Sequence, residues 1–208
     1  MHGIVNVLQS TPEQLPAGAV ALDLGPSDYV RTKLAGSRAD GDWDYGVAAL
    51  YTHDGGWRID SGYDEAKLNA TAAGRWGDLP ANLMLAVTSL DQQTAGFITG
   101  KDAYKSLAIS ESNPTPGAFR DASAVRLTGL IEPQVPGGLR LELRPFLRTS
   151  RTEFLQHFLL GQPVERNSQD SGGLLASLAF GNVSDWSLVT GLDLELGVSS
   201  LVEDQQEP

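Results

Sequence analysis

Leu139-Arg140-Leu141-Glu142-Leu143-Arg144 decides the fold class. Every second residue is leucine, and each residue between carries a charge. Successive side chains leave a strand on opposite faces, so Leu139, Leu141 and Leu143 fall on one side. Arg140, Glu142 and Arg144 fall on the other. Wound as a helix, the same order would smear the charges around the circumference and leave no apolar stripe. The segment reads as a strand with one apolar face and one charged face.

Working outward, the same alternation returns in run after run. Trp186, Leu188, Thr190, Leu192, Leu194, Leu196 and Val198 share a face opposite Ser187, Gly191, Asp193, Glu195 and Gly197. Leu174, Ala176, Leu178 and Phe180 oppose Leu175, Ser177 and Ala179, while Val125, Leu127, Gly129 and Ile131 oppose Arg126, Thr128 and Glu132. Val20, Leu22 and Leu24 flank Asp23, and Tyr45, Val47, Ala49 and Tyr51 form another row. About nine strand candidates follow from Gly18 onward, several of them about ten residues long.

The connectors alternate in length. Short turns are expected at Gly36 to Gly41, Gly77 to Pro80, Pro133 to Gly138 and Gly181 to Asp185, where Gly, Pro, Asn and Asp supply turn conformations. Longer polar stretches run from Thr52 to Tyr63, Asp91 to Arg120 and Gln156 to Ser171. Short and long connections then fall on opposite ends of an up-and-down meander, as in outer-membrane barrels with short periplasmic turns and long outer loops. A soluble sandwich also alternates, but its strands average about five or six residues and its inner face is no row of charges. Trp43, Tyr45, Tyr51, Trp57, Trp76 and Trp186 lie near predicted strand ends, where an interfacial girdle would place them.

Composition narrows the function classes. Fifteen Lys and Arg against 26 Asp and Glu give a net charge of -11, which argues against binding nucleic-acid phosphates or an anionic membrane surface. With no cysteine, disulfides, thiolate metal sites and Cys nucleophiles are excluded. No stretch approaches the roughly 20 apolar residues of a membrane-spanning helix, a rule that does not touch β-barrels. Met1-His2 leads into Gly3-Ile4-Val5-Asn6-Val7-Leu8 without a basic start or a cleavage site, which points to the cytoplasm or to a missing beginning.

Gly3-Ile4-Val5-Asn6-Val7-Leu8, the polar stretch Gln9 to Ala17 and the strand Ala19-Val20-Ala21-Leu22-Asp23-Leu24 together resemble the plug–barrel junction of TonB-dependent outer-membrane receptors. Ser61 to Asn69 looks like a strand descending from an outer loop of that family, and Gln93 to Ile98 and Phe154 to Phe158 look like its strand-to-loop transitions. The resemblance implies an all-β fold, a partial up-and-down antiparallel transmembrane β-barrel with about nine of the family's roughly 22 strands. It divides the chain into the last plug strand at residues 1–8, a linker at 9–17 and the N-terminal part of the barrel at 18–208. The chain is then a fragment of a receptor located in the bacterial outer membrane.

The parent would import a scarce ligand, such as a ferric siderophore or a cobalamin, energised through the plug by the TonB complex. It would need no cofactor of its own, and its partners would be that complex, the small-molecule ligand and outer-membrane lipid. Family ligand contacts come from the plug and the outer loops, which implicates Gln92, Gln93, Tyr104, Arg151, Gln156 and His157 here. Arg and His suit an anionic ligand and Tyr104 could stack on a ring. The row Arg140, Glu142, Arg144 and Arg148 would face the lumen.

Enzymatic patterns fail on inspection. Gly96-Phe97-Ile98-Thr99-Gly100-Lys101 has one residue too few between its glycines for a phosphate loop, and Asp102 stands where Ser or Thr should bind magnesium. No Gly-x-Ser-x-Gly elbow occurs, and His2, His53 and His157 are too scattered to pair on a metal. The chain is therefore not expected to be an enzyme. Two other readings stay open: a different outer-membrane barrel, such as a channel or adhesin, and a soluble all-β binding module.

Overall fold

The computed structural model describes residues 10–182 and 186–205. It is a single nine-stranded sheet in which every strand pairs antiparallel with the next in sequence. The strands are β1 (Ala19–Leu24), β2 (Val30–Asp40), β3 (Trp43–Asp54), β4 (Tyr63–Trp76), β5 (Leu79–Gln93), β6 (Phe119–Ile131), β7 (Arg140–Leu155), β8 (Val164–Asn182) and β9 (Trp186–Asp204). The expected all-β meander of about nine strands is observed. The only α-helix among the described residues is the single turn α1 (Leu107–Ser110), too short to cross a membrane.

Connections sort only in part by length: the turn expected at Pro133 to Gly138 is the connection 132–139, as long as 55–62 and 156–163 at the opposite end, where 25–29 is shorter. At one end β2–β3 and β4–β5 turn through Gly41-Asp42 and Gly77-Asp78, with Gly41 and Gly77 both at φ +65. A two-residue hairpin turn that starts with positive φ favours glycine, which meets no steric cost there, and these pairs close tightly on it. At the other end lie 25–29, 55–62, 94–118 and 156–163. Several expected boundaries move, two of them by five residues or more. β2 runs through the expected turn at Gly36 to Asp40, because Gly36, Ser37, Arg38 and Ala39 each find a partner on β3. β8 begins at Val164, so Val164 to Asp170 is strand where a loop was expected; its polar residues pair with both β7 and β9. The last plug strand expected at residues 1–8 lies outside the described residues, as does most of the turn after Gly181.

Register makes the sheet two-faced. One row running across the strands reads Gly36, Val47, Ala70, Leu85, Leu127, Leu147, Gly172, Leu196. The next row, one residue along and therefore on the opposite face, reads Ala35, Ala48, Asn69, Ala86, Arg126, Arg148, Ser171, Gly197. Val20, Leu22, Leu24, Leu83, Leu147, Leu192, Leu194 and Val198 on the apolar face are all exposed, Leu196 to 85%. Among the described residues the buried apolar side chains are few, Ala103, Ala118, Pro12 and Pro163, all in connecting segments rather than between two layers. A sheet of this size with a bare apolar face needs something to cover it.

Between Trp186 and Val198 the apolar row of β9 spans about 40 Å along the strand, or about 28 Å across a layer at a tilt of about 45°. Trp43, Trp76 and Trp186 stand on this face at the short-turn end. Trp43 lies over Gly74, where a Cβ would come within 2.7 Å of its ring.

The opposite face carries most of the strand charges amid small residues. Ser10 to Ala17 leads onto it through a 3-10 turn at Pro12–Gln14. Ser37 Oγ donates to the carbonyls of Leu15 and Pro16 at 3.0 and 3.1 Å. Gly46 leaves the room this segment needs, since a Cβ there would meet Leu15 Cδ1 at 2.8 Å and Thr71 Oγ1 at 2.7 Å.

Candidate ligand-binding end

The longest connection, 94–118, lies with 55–62 and 156–163 at one end of the sheet, and the 55–62 and 94–118 segments are fastened together. Arg58, in the β3–β4 connection, donates to the Ser112 carbonyl through Nε and Nη2 at 3.1 and 2.6 Å and to the Gly96 carbonyl at 2.8 Å. Ile59 N–H donates to the Glu111 carbonyl at 3.0 Å, and Asn113 Nδ2 donates to the Asp60 carbonyl at 3.3 Å. A planar guanidinium with a fork of donors suits this convergence of carbonyls. The 55–62 and 94–118 segments thus form one unit, from which Trp57, Ile59, Phe97, Tyr104 and Leu107 project into solvent.

Just inside this end, register lines up a row on the charged face: Tyr63, Gln92, Arg120, Phe154, Glu165 and Glu203. Arg120 stacks over the Phe154 ring at 6.0 Å from its centroid. Gln156 caps the far part of the row, its Nε2 donating to Glu165 and, at 3.1 Å, to Glu203. One cation, Arg120, stands with carboxylates, amides and aromatic faces within one strip, so it can recognise a polar solute that also offers a flat surface.

The six residues singled out from sequence do not form one site. Gln92 belongs to the row on the charged face. Gln93, the last residue of β5, points to the apolar face, while its N–H donates to the Gly62 carbonyl at 2.9 Å. Arg151 is a strand residue on the apolar face and grips Asp170 bidentately at 3.0 and 2.8 Å, so it is not on an outer loop. Tyr104 is exposed in the 3-10 turn Ala103–Lys105, beside the Lys105 ammonium. Gln156 is almost fully buried over Glu165 and Glu203. His157 follows it, edge-on to Phe158, with Nδ1 buried and unpaired.

Sequence reasoning missed Arg58, Tyr63, Arg120, Phe154, Glu165 and Glu203. The alternation that placed Arg140 and Glu142 on a charged face could have found Tyr63, Arg120 and Phe154 had strand ends been extended. Arg58 left no signal, because its partners lie 38 and 54 residues away.

On the apolar face at this same end, charges pair among themselves. Asp64 accepts from Tyr51 Oη at 2.6 Å and lies 2.9 Å from His53 Nδ1, and Arg166 bridges Glu153 and Asp204. Among the described residues no three His, Asp or Glu side chains converge as a metal site would require. No protein-family model and no curated protein matches the chain.

Proposed function

We propose that this chain is part of the wall of a bacterial outer-membrane β-barrel, from an importer of the TonB-dependent receptor kind. The observation that carries the wall reading is the exposed apolar face continuous across nine strands, bounded by tryptophans at one end and paired charges at the other. Lipid covers such a face at no desolvation cost, whereas water does not. The charged face then lines a wet lumen, and the clamped loops lie at the outer mouth.

Two features support the importer reading over a passive channel or adhesin. The glycine–hydrophobic–Asn–hydrophobic stretch at 3–8 resembles the end of a plug. The segment that follows it, Ser10 to Ala17, is seated on the charged face, where a chain leaving a plug inside the lumen would join its barrel. The receptor would take a siderophore-like or cobalamin-like ligand at the outer mouth, with Gln92 and Arg120 as the contacts best placed for it.

The wall reading is tested by refolding the chain into lipid vesicles and adding trypsin. Cleavage confined to the 94–118 segment, at Lys101 and Lys105, is expected. Digestion throughout the strands, or a chain that stays soluble without detergent, would return it to the soluble binding modules. The importer reading is tested on coding sequence flanking the chain: a plug with a TonB-contacting segment upstream is required.

A further inference from the structure

The sheet ends at two edges, β1 and β9, and they differ in what they can accept. With nine strands alternating in direction, β1 and β9 run the same way. They cannot close on each other antiparallel, nor can copies rotated about a common barrel axis join β9 to β1 antiparallel. An end-for-end copy could pair β9 with β9, but it would bring its own carboxylates together. On its charged side β9 carries Asp193, Glu195 and Glu203 with no Lys or Arg, and its other side is the Leu-rich row. Like charges across a strand pair are destabilising.

The acids near the middle of β9 are only half matched. Glu195 reaches two strands back to Arg148 on β7. Asp193 stands opposite Leu175 and has no ionic partner among the described residues. β1, in contrast, has its one acid, Asp23, answered by Lys33 at 2.9 Å.

From parity and charge together we propose that the β9 edge docks an antiparallel strand that is neither β1 nor β9. That strand presents an apolar face to lipid and Lys or Arg opposite Asp193 and Glu195. This rests on the membrane-wall reading. The antiparallel direction follows from that reading; the charge of the partner, which it leaves open, is what is added.

Because the chain has no cysteine, cross-linking can report the docking directly. The full chain, refolded in vesicles and first checked for insertion by trypsin protection, carries Ser199→Cys on β9 or Ala21→Cys on β1. Two synthetic strands serve as probes. Both alternate Leu with Thr and carry one cysteine; one has two lysines and the other two glutamates at inward positions. Disulfide formation at Ser199→Cys should favour the lysine strand by about tenfold, the ratio that two cross-strand charge pairs support. Asp193→Lys alone should cut that preference about threefold, and Asp193→Lys with Glu195→Lys should reverse it. Ala21→Cys should show no preference.

Equal capture of both strands, or a preference that survives the double reversal, overturns the docking proposal while leaving the wall intact. A chain that fails the insertion check removes the wall reading and this inference with it.

Discussion

At the scale of single residues, Arg58 bears most directly on function. Its guanidinium satisfies two carbonyls from a segment far away in sequence, and charge-assisted hydrogen bonds of this kind contribute about 1.5–3 kcal/mol. Arg58→Ala should therefore free the 94–118 segment to open about thirtyfold more often, on an assumed loss of about 2 kcal/mol. Limited chymotrypsin digestion reads this at Phe97 and Tyr104. Arg58→Lys should fall between, since an ammonium cannot reproduce the fork. An unchanged cleavage rate in Arg58→Ala would show that Ile59 and Asn113 hold the loops without it. The sequence offered no handle on this residue: a lone Arg in a polar stretch looks like any solvated one, and only the tertiary approach of two loops gives it partners.

At the scale of elements, alternation was legible wherever one face had something apolar to show. Arg140 to Arg144 and Trp186 to Val198 are strands with the faces the sequence assigns them, while Leu139 falls just before β7. Val164 to Asp170 escaped because both of its faces are polar there, so nothing in its own pattern distinguishes strand from loop. Pairing with β7 and β9 decides it. The segment from Ser10 to Ala17 carries a 3-10 turn at Pro12–Gln14, and its seat on Gly46 depends on a contact no periodicity encodes.

The two-faced strands make a paired test. Ala70 lies on the apolar face between Val47 and Leu85, and its neighbour Asn69 lies on the other face between Ala48 and Ala86. In a membrane wall Ala70→Arg should cost about 2–4 kcal/mol of folding stability in lipid, the penalty for arginine at mid-membrane. Asn69→Arg, pointing into a wet lumen with small neighbours, should stay within about 0.5 kcal/mol of the parent. Urea titration of the vesicle-refolded variants measures both. Equal, small effects would mean that water, not lipid, bathes the apolar face. A second element-scale test concerns the linker seat. Gly46→Val should push Leu15 and Pro12 off the sheet, seen as faster cleavage at Glu13 by a Glu-specific protease, with strand content unchanged by circular dichroism.

At the scale of the whole molecule, the four tryptophans would set the sheet's orientation in the bilayer that the proposed wall reading requires. Trp43, Trp76 and Trp186 share the apolar face at the short-turn end, whereas Trp57 sits in the opposite, loop-bearing end. Indoles settle at the boundary between hydrocarbon and headgroups, so in a membrane wall the first three would mark one boundary of the layer. The apolar band of about 28 Å would then place the paired charges of Asp64 and Arg166 near the other. Trp57, on a projecting loop, would lie beyond it in water. In single-tryptophan variants refolded into vesicles, lipids brominated along the acyl chain should quench Trp43, Trp76 and Trp186 to a similar, shallow depth. Iodide added outside should quench Trp57 if the loops insert outward and spare the other three. Quenching of all four by iodide alike would mean that no lipid covers the sheet. Strong acyl quenching of Trp57 together with the others would mean that the molecule lies flat on the surface. Only a sheet crossing the bilayer with its loops at one end separates the four as three and one.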